Sequence, residues 1–187
     1  HVQVYNLDGS DFDAKSRSIT VQADFDWSVH RRFDVRTAYR WVNAQTDFKD
    51  DGLALRFDPF VAQHRAYTQF SYASKSQDDG KQLRIDGVLQ WVGPQAIPEP
   101  YINPETNSER SPSFTQLNIQ ISKTFKNNFE LYAGVENILN VVHKNPIIGV
   151  DTGVLDENTF DASLVYGPIF GRMTYAGLRW TIGVTKS

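Results

Sequence analysis

Asp24 and Asp26 come nearest, by type and spacing, to a catalytic pair. They lie in a run of alternating apolar and polar residues, so a strand would carry both carboxylates on one face, roughly 7 Å apart. That is near the lower end of the separation that admits a water between the acid and base of an inverting glycosidase. The same alternation offers a plainer use. If residues 30–32 form the loop of a hairpin, Asp26 falls opposite Arg36 and the two make an ion pair, which is the expectation. His1, His30, His64 and His143 show no metal-ligand spacing. The absence of cysteine removes thiol nucleophiles, disulfides and thiolate metal sites. No catalytic residue, metal site or cofactor is expected, and the chain is not expected to be an enzyme.

A second group of acidic residues lies in segments rich in Pro, Gly, Asn and Asp. Asp47, Asp50, Asp51 and Asp58 make one cluster; Asp151, Asp156, Glu157 and Asp161 make another. Binding usually resides on loops held by a rigid scaffold. As recognition sites these clusters would favour a cationic cargo, divalent ions or a surface partner protein, whereas solvated loop charge is the plain alternative.

The elements that must position these residues are strands. Over residues 19–29, Ile19, Val21, Ala23, Phe25, Trp27 and Val29 alternate with Thr20, Gln22, Asp24, Asp26 and Ser28. Phe33, Val35, Thr37, Tyr39 and Trp41 then alternate with Asp34, Arg36, Ala38 and Arg40, so the two segments form a hairpin. A second hairpin joins residues 65–74 to 82–92 through Asp79-Gly80, a pair suited to a type I′ turn. That turn would set Phe70 opposite Leu89 and Tyr72 opposite Gly87. A third joins residues 114–125 to 129–139 around Lys126, Asn127 and Asn128. Its outward face would carry Leu117, Ile119, Ile121, Phe125, Phe129, Leu131, Ala133 and Val135. A last strand is expected over residues 172–184, with Ala176, Leu178, Trp180 and Ile182 on one face. Residues 2–7 read as the tail of a strand that begins upstream.

The connections alternate in length: short near Arg31, Asp79 and Asn127, long over 47–63, 93–113 and 141–168. Transmembrane barrels have short periplasmic turns and long extracellular loops. Trp27, Phe33, Phe125, Phe129 and Trp180 lie near the short turns, and Tyr39, Trp41 and Trp91 toward the long loops, as two interfacial girdles would. In 187 residues the aromatic content is 13% while mean hydropathy is only -0.44, so the apolar material is dispersed. No segment nears the roughly 18 consecutive apolar residues of a spanning helix, but barrel strands need only alternation. A net charge of -3 supplies no basic stripe for a phosphate backbone, which disfavours nucleic acid as a partner. No signal-peptide pattern follows His1, so a mature or truncated product is expected. The expected fold is all-β: an antiparallel transmembrane β-barrel represented by about its last seven to eight strands. Its lumen would be lined by Asp24, Asp26, Asp34, Arg36, Arg40, Arg84, Asp86 and Glu136. Two open edges cannot sit in hydrocarbon, so more strands are expected upstream.

Two segments carry a family resemblance. Leu131-Tyr132-Ala133-Gly134-Val135-Glu136-Asn137-Ile138-Leu139-Asn140 resembles the penultimate-strand motif of TonB-dependent outer-membrane receptors of the Bacteroidetes type. Gly167-Pro168-Ile169-Phe170-Gly171-Arg172-Met173-Thr174-Tyr175-Ala176-Gly177-Leu178-Arg179-Trp180 is similar to the closing-strand motif. The segment from Arg32 to Trp41 and the strand start His64-Arg65-Ala66 fit as well. The resemblance implies that residues 1–187 are the C-terminal portion of a barrel of about 22 strands around an N-terminal plug. Neither the plug nor the energy-coupling motif is visible in this sequence, and the chain runs past Trp180 to Ser187 where such barrels usually end on an aromatic residue. The implied function is import of a scarce nutrient, such as a siderophore or other metal chelate, a corrinoid or an oligosaccharide, across the bacterial outer membrane. The implied partners are outer-membrane lipid, the plug and remaining strands, the TonB energy-coupling complex, a small-molecule cargo and, as a further candidate, a surface lipoprotein. Two alternatives use the same strands: a small passive porin or adhesin barrel, and a soluble lectin-like β-sandwich that binds sugar.

Overall fold

The computed structural model describes residues 2–3, 16–46, 55–77, 80–98, 103, 107–126, 129–143 and 165–181. Among them the architecture is one antiparallel sheet, with no α-helix. The strands are β1 (Val2–Gln3), β2 (Ser16–His30), β3 (Phe33–Thr46), β4 (Arg56–Phe57), β5 (His64–Ala73), β6 (Gln82–Val92), β7 (Phe114–Thr124), β8 (Phe129–Glu136) and β9 (Met173–Trp180). Their order is β1-β2-β3-β5-β6-β7-β8-β9, with β4 on the end of β3. Each long strand thus pairs with its neighbours in sequence, a meander whose only non-local joins are its long connections.

Period-two side-chain alternation is preserved in register across the sheet. Trp27, Val35, Phe70, Gly87, Ile119, Val135 and Thr174 form one row through the seven long strands. One residue over, Ser28, Asp34, Ser71, Asp86, Gln120, Gly134 and Tyr175 form the next. Successive residues point to opposite faces, so the sheet has one apolar and one polar face. The polar row is stitched by hydrogen bonds: the Ser28 hydroxyl donates to Asp34 at 2.7 Å, Ser71 to Asp86 at 2.7 Å, and Tyr175 to Gln120 at 3.0 Å. On the apolar face Phe70 lies over Gly87, where any Cβ would overlap its ring.

The core is displaced from the apolar face. The buried apolar strand residues Ala38, Val42, Ala44 and Val92 all belong to the polar side; in the long connections Ala62, Ile97 and Tyr166 are buried, and Ile97 and Tyr166 pack together with Phe60. Those connections fold against one another at one end. The Phe60 amide donates to the Ala96 carbonyl at 2.9 Å, the Arg110 guanidinium to the Gln63 amide oxygen at 2.7 Å, and the buried Gln95 amide to the Tyr166 carbonyl at 2.9 Å. The apolar face is meanwhile bare: Phe25 is 61% exposed, Leu178 68% and Trp180 64%.

Three sequence expectations are corrected. The β5–β6 register sets Phe70 opposite Gly87 and Tyr72 opposite Ile85, two residues from the pairing expected for a type I′ turn. The loop is longer: Gly80 donates to the Gln77 carbonyl at 2.8 Å, Gln77 donates to the Lys81 carbonyl at 3.0 Å, and Gly80 takes φ 82°. This is the bonding of a hairpin whose glycine follows the turn as a bulge; Asp79 itself lies outside the described residues. β8 stops at Glu136 instead of running to Leu139, because Asn137 enters the left-handed region at φ 50°. Finally, residues 47–63 include β4, which pairs with Gln45 and Thr46. Residues 4–7 and 182–184, expected in strands, lie outside the described residues.

At the β8–β9 edge, Tyr132 lies over Gly177 and Tyr175 over Gly134, each ring occupying the space a Cβ would take. The Tyr rings are 6.4 Å apart, and the Arg179 guanidinium lies 5.9 Å from the Tyr132 ring. Gly177→Val is expected to cost about 1–3 kcal/mol through forced displacement of Tyr132. A chemical-denaturation midpoint measures this loss, and adding Tyr132→Ala should recover part of it.

Candidate functional site

All eight residues expected on the polar surface share that face. Asp24, Asp26, Asp34, Arg36 and Arg40 come from β2 and β3, Arg84 and Asp86 from β6, and Glu136 from β8. The turn at Arg31 and Arg32 includes a register shift between Ser28 and His30, after which Asp26 stands opposite Arg36 as expected. Arg36 reaches Asp26 at 3.4 Å and Asp24 at 3.7 Å, and the Gln22 amide also donates to Asp24 at 2.9 Å. A guanidinium therefore stands between the carboxylates, where a glycosidase pair needs room for the glycosidic bond and a water. The ion pairs are half exposed, so Arg36→Gln is expected to cost under about 1 kcal/mol, again read from a denaturation midpoint.

The rest of the polar face is less connected than the alternation suggests. Arg179 approaches Glu130 at 3.5 Å, while Arg40, Arg84 and Glu136 make no ion pair among the described residues. Arg40 has a neighbour that sequence reading missed: Arg65 of β5 is its direct partner in register. No turn residue signals that pairing, because the long connection over 47–63 separates the two strands.

Of the acidic loop candidates only Asp58 is described. Its carboxylate accepts the Thr46 hydroxyl at 2.7 Å and its amide donates to the Ala44 carbonyl at 3.0 Å, which fastens the end of β3. Asp47, Asp50, Asp51, Asp151, Asp156, Glu157 and Asp161 lie outside the described residues. Among the described residues no group of three or more His, Cys, Asp or Glu is placed to hold a metal ion. His64 Nδ1 lies 2.6 Å from the Tyr39 hydroxyl, and buried His143 packs between the rings of Phe114 at 5.6 Å and Tyr166 at 5.2 Å.

Further contacts join the segment over residues 131–140 to the segment over 167–180. Asn137, 3% exposed, accepts the Val141 amide at 3.0 Å and donates to the carbonyls of Val141 at 2.8 Å and Phe170 at 3.1 Å. Asn140 accepts the Arg172 amide at 2.9 Å, and the Arg172 guanidinium donates to the Ile138 carbonyl at 2.6 Å. The Asn-x-x-Asn spacing, with both residues at positive φ, is the signal that marks this turn. Comparison with known proteins returned no matching family model, no matching curated protein and no matching solved structure.

Proposed function

We propose that this chain is the C-terminal part of an outer-membrane β-barrel receptor that imports a scarce nutrient with energy supplied through TonB. One observation carries the membrane reading: the buried apolar residues lie on the polar side and in the long connections, while the apolar face carries exposed large hydrophobic side chains on β2, β3, β6, β7, β8 and β9. A soluble sandwich does the opposite, packing a second layer on its apolar face; no described residue supplies one. Bare Val21, Phe25, Leu89, Ile121, Leu131 and Leu178 suit hydrocarbon, and the charged face opposite suits an aqueous lumen. Trp27, Phe129 and Trp180 at one end of the apolar face, with Tyr39, Trp41 and Trp91 at the other, suit the two interfaces. β2, β3 and β5 to β7, at 10 to 15 residues each, are long enough to cross a tilted path through a bilayer. Among the described residues β9 pairs only with β8, and β1 only with β2, and a wall that meets lipid needs both open edges paired by further strands.

Energy-coupled import rests on the resemblance of the segments around Asn137 and Arg172. Its partners would be the plug and remaining strands, the TonB complex, a small-molecule cargo and a surface lipoprotein. Spin labels at Val21, Phe25, Val35, Tyr39, Leu117, Ile119 and Leu178 of the complete protein in bilayers should report hydrocarbon. A monomer that stays soluble without detergent would end the membrane reading. Cargo accumulation should stop when the energy-coupling complex is deleted; accumulation that continues unchanged would leave a passive channel instead.

A further inference from the structure

The polar face has a position where two like charges are set directly against each other. Arg40 and Arg65 are directly opposed between β3 and β5. Directly opposed side chains leave a sheet about 5 Å apart at Cβ, and like charges there repel. Arg36 has Asp24 and Asp26, and Arg179 has Glu130, but neither Arg40 nor Arg65 has an ion-pair partner among the described residues. Asp24, the nearest carboxylate along β2, is already engaged by Gln22 and Arg36. Arg65 Nε is shielded from solvent and has no hydrogen-bond partner among the described residues. An unpaired buried donor is costly.

The surroundings form a receptacle. A cavity of about 300 Å³ opens beside the two guanidinium groups, with Gln22, Tyr67 and Gln90 also in its wall. It sits toward the end where the long connections gather, since Arg65 is the second residue of β5 and its partner Val92 is the last of β6. Guanidinium groups present planar N–H forks that match carboxylate and phosphate geometry. Gln22 and Gln90 can add amide donors.

We propose that Arg40 and Arg65 together bind the oxyanion, carboxylate or phosphate, of a small solute that enters from the long-connection end. The anion would replace like-charge repulsion with two charge-assisted interactions and satisfy Arg65 Nε. The inference deepens the transport reading by giving its cargo an anionic group, and it rests on that reading only for the solute's route.

The test is equilibrium binding of inorganic phosphate and, separately, of citrate to the complete protein in detergent micelles, by calorimetry. Wild type should bind at least one of them, and the Arg40→Gln/Arg65→Gln variant should bind it at least tenfold more weakly. Without anion the variant should be as stable as wild type or more so, because the repulsion is gone. Saturating anion should raise the melting temperature of wild type but not of the variant. Binding of phosphate alone assigns a phosphate-bearing solute, and of citrate alone a carboxylate-bearing one. If neither binds, or if both bind equally well to the variant, the proposal is overturned. Binding is measured without transport, so a failure of energy-coupled import leaves this result readable.

Discussion

Ile119→Arg in the complete protein is expected to lower stability in phospholipid bilayers by roughly 2–4 kcal/mol, the cost of an arginine near the midplane on a lipid-facing strand. Ile119 is the sixth of eleven residues of β7, flanked in its row by Gly87 and Val135, so it lies at mid-strand on the apolar face. The loss is about thirtyfold to a thousandfold in the folding equilibrium constant, well within reach of a urea titration in vesicles. Gln116→Arg provides the comparison. It places the same side chain on the same strand but on the polar face, opposite Gln90, where substitution should stay within about 0.5 kcal/mol. The difference between the variants isolates what the apolar face touches. If that face is wetted by water, a half-exposed Ile→Arg change is also nearly neutral, and equal midpoints would remove the lipid reading of all seven long strands together.

How far the sequence disclosed this arrangement depends on which features are local. Face assignment is local, because alternation in one strand fixes its two sides. It placed Asp24 to Arg40 on the polar side and Val21 to Trp41 on the apolar side, as the sheet has them. Register is less secure. For β2 and β3 the loop at Arg31 was short enough to set Asp26 against Arg36. For β5 and β6 a type I′ turn expects the glycine at its centre, whereas Gly80 follows the turn. The resulting error was two residues, and a shift of two leaves every side chain on its own face, so parity could not expose it. Two-residue pairings such as β4 have no period to read. The opposition of Arg40 and Arg65 spans a long connection whose length fixes no register, and it emerges only when β3 and β5 are seen paired. Asn137 was legible as part of a resemblance but not as a strand terminus. Asn tolerates the left-handed region through local hydrogen bonding, and that choice is made by Val141 and Phe170, which lie farther along the chain.

That tie between distant segments predicts the second large effect. Asn137→Ala is expected to cost roughly 3–5 kcal/mol, because it removes three side-chain hydrogen bonds at a buried site and puts Cβ-bearing alanine at positive φ. The lost bonds leave the amide and carbonyl of Val141 and the carbonyl of Phe170 without this side-chain partner. Asn137→Gly separates the two contributions: it accepts φ 50° readily and still loses the bonds, so it should cost about 1 kcal/mol less than alanine. Arg172→Ala should add little to the Asn137→Ala loss, since both changes free the same turn from β9 and neighbouring contributions are not additive. The measurement is again a urea midpoint in vesicles, with proteolysis of the segment after Asn140 as a local readout. A cost below about 1 kcal/mol for Asn137→Ala would mean that the hairpin of β8 and β9 is held by its ladder and its interlocked Tyr132 and Tyr175 rings, and that the turn contributes nothing to closing the sheet's last edge.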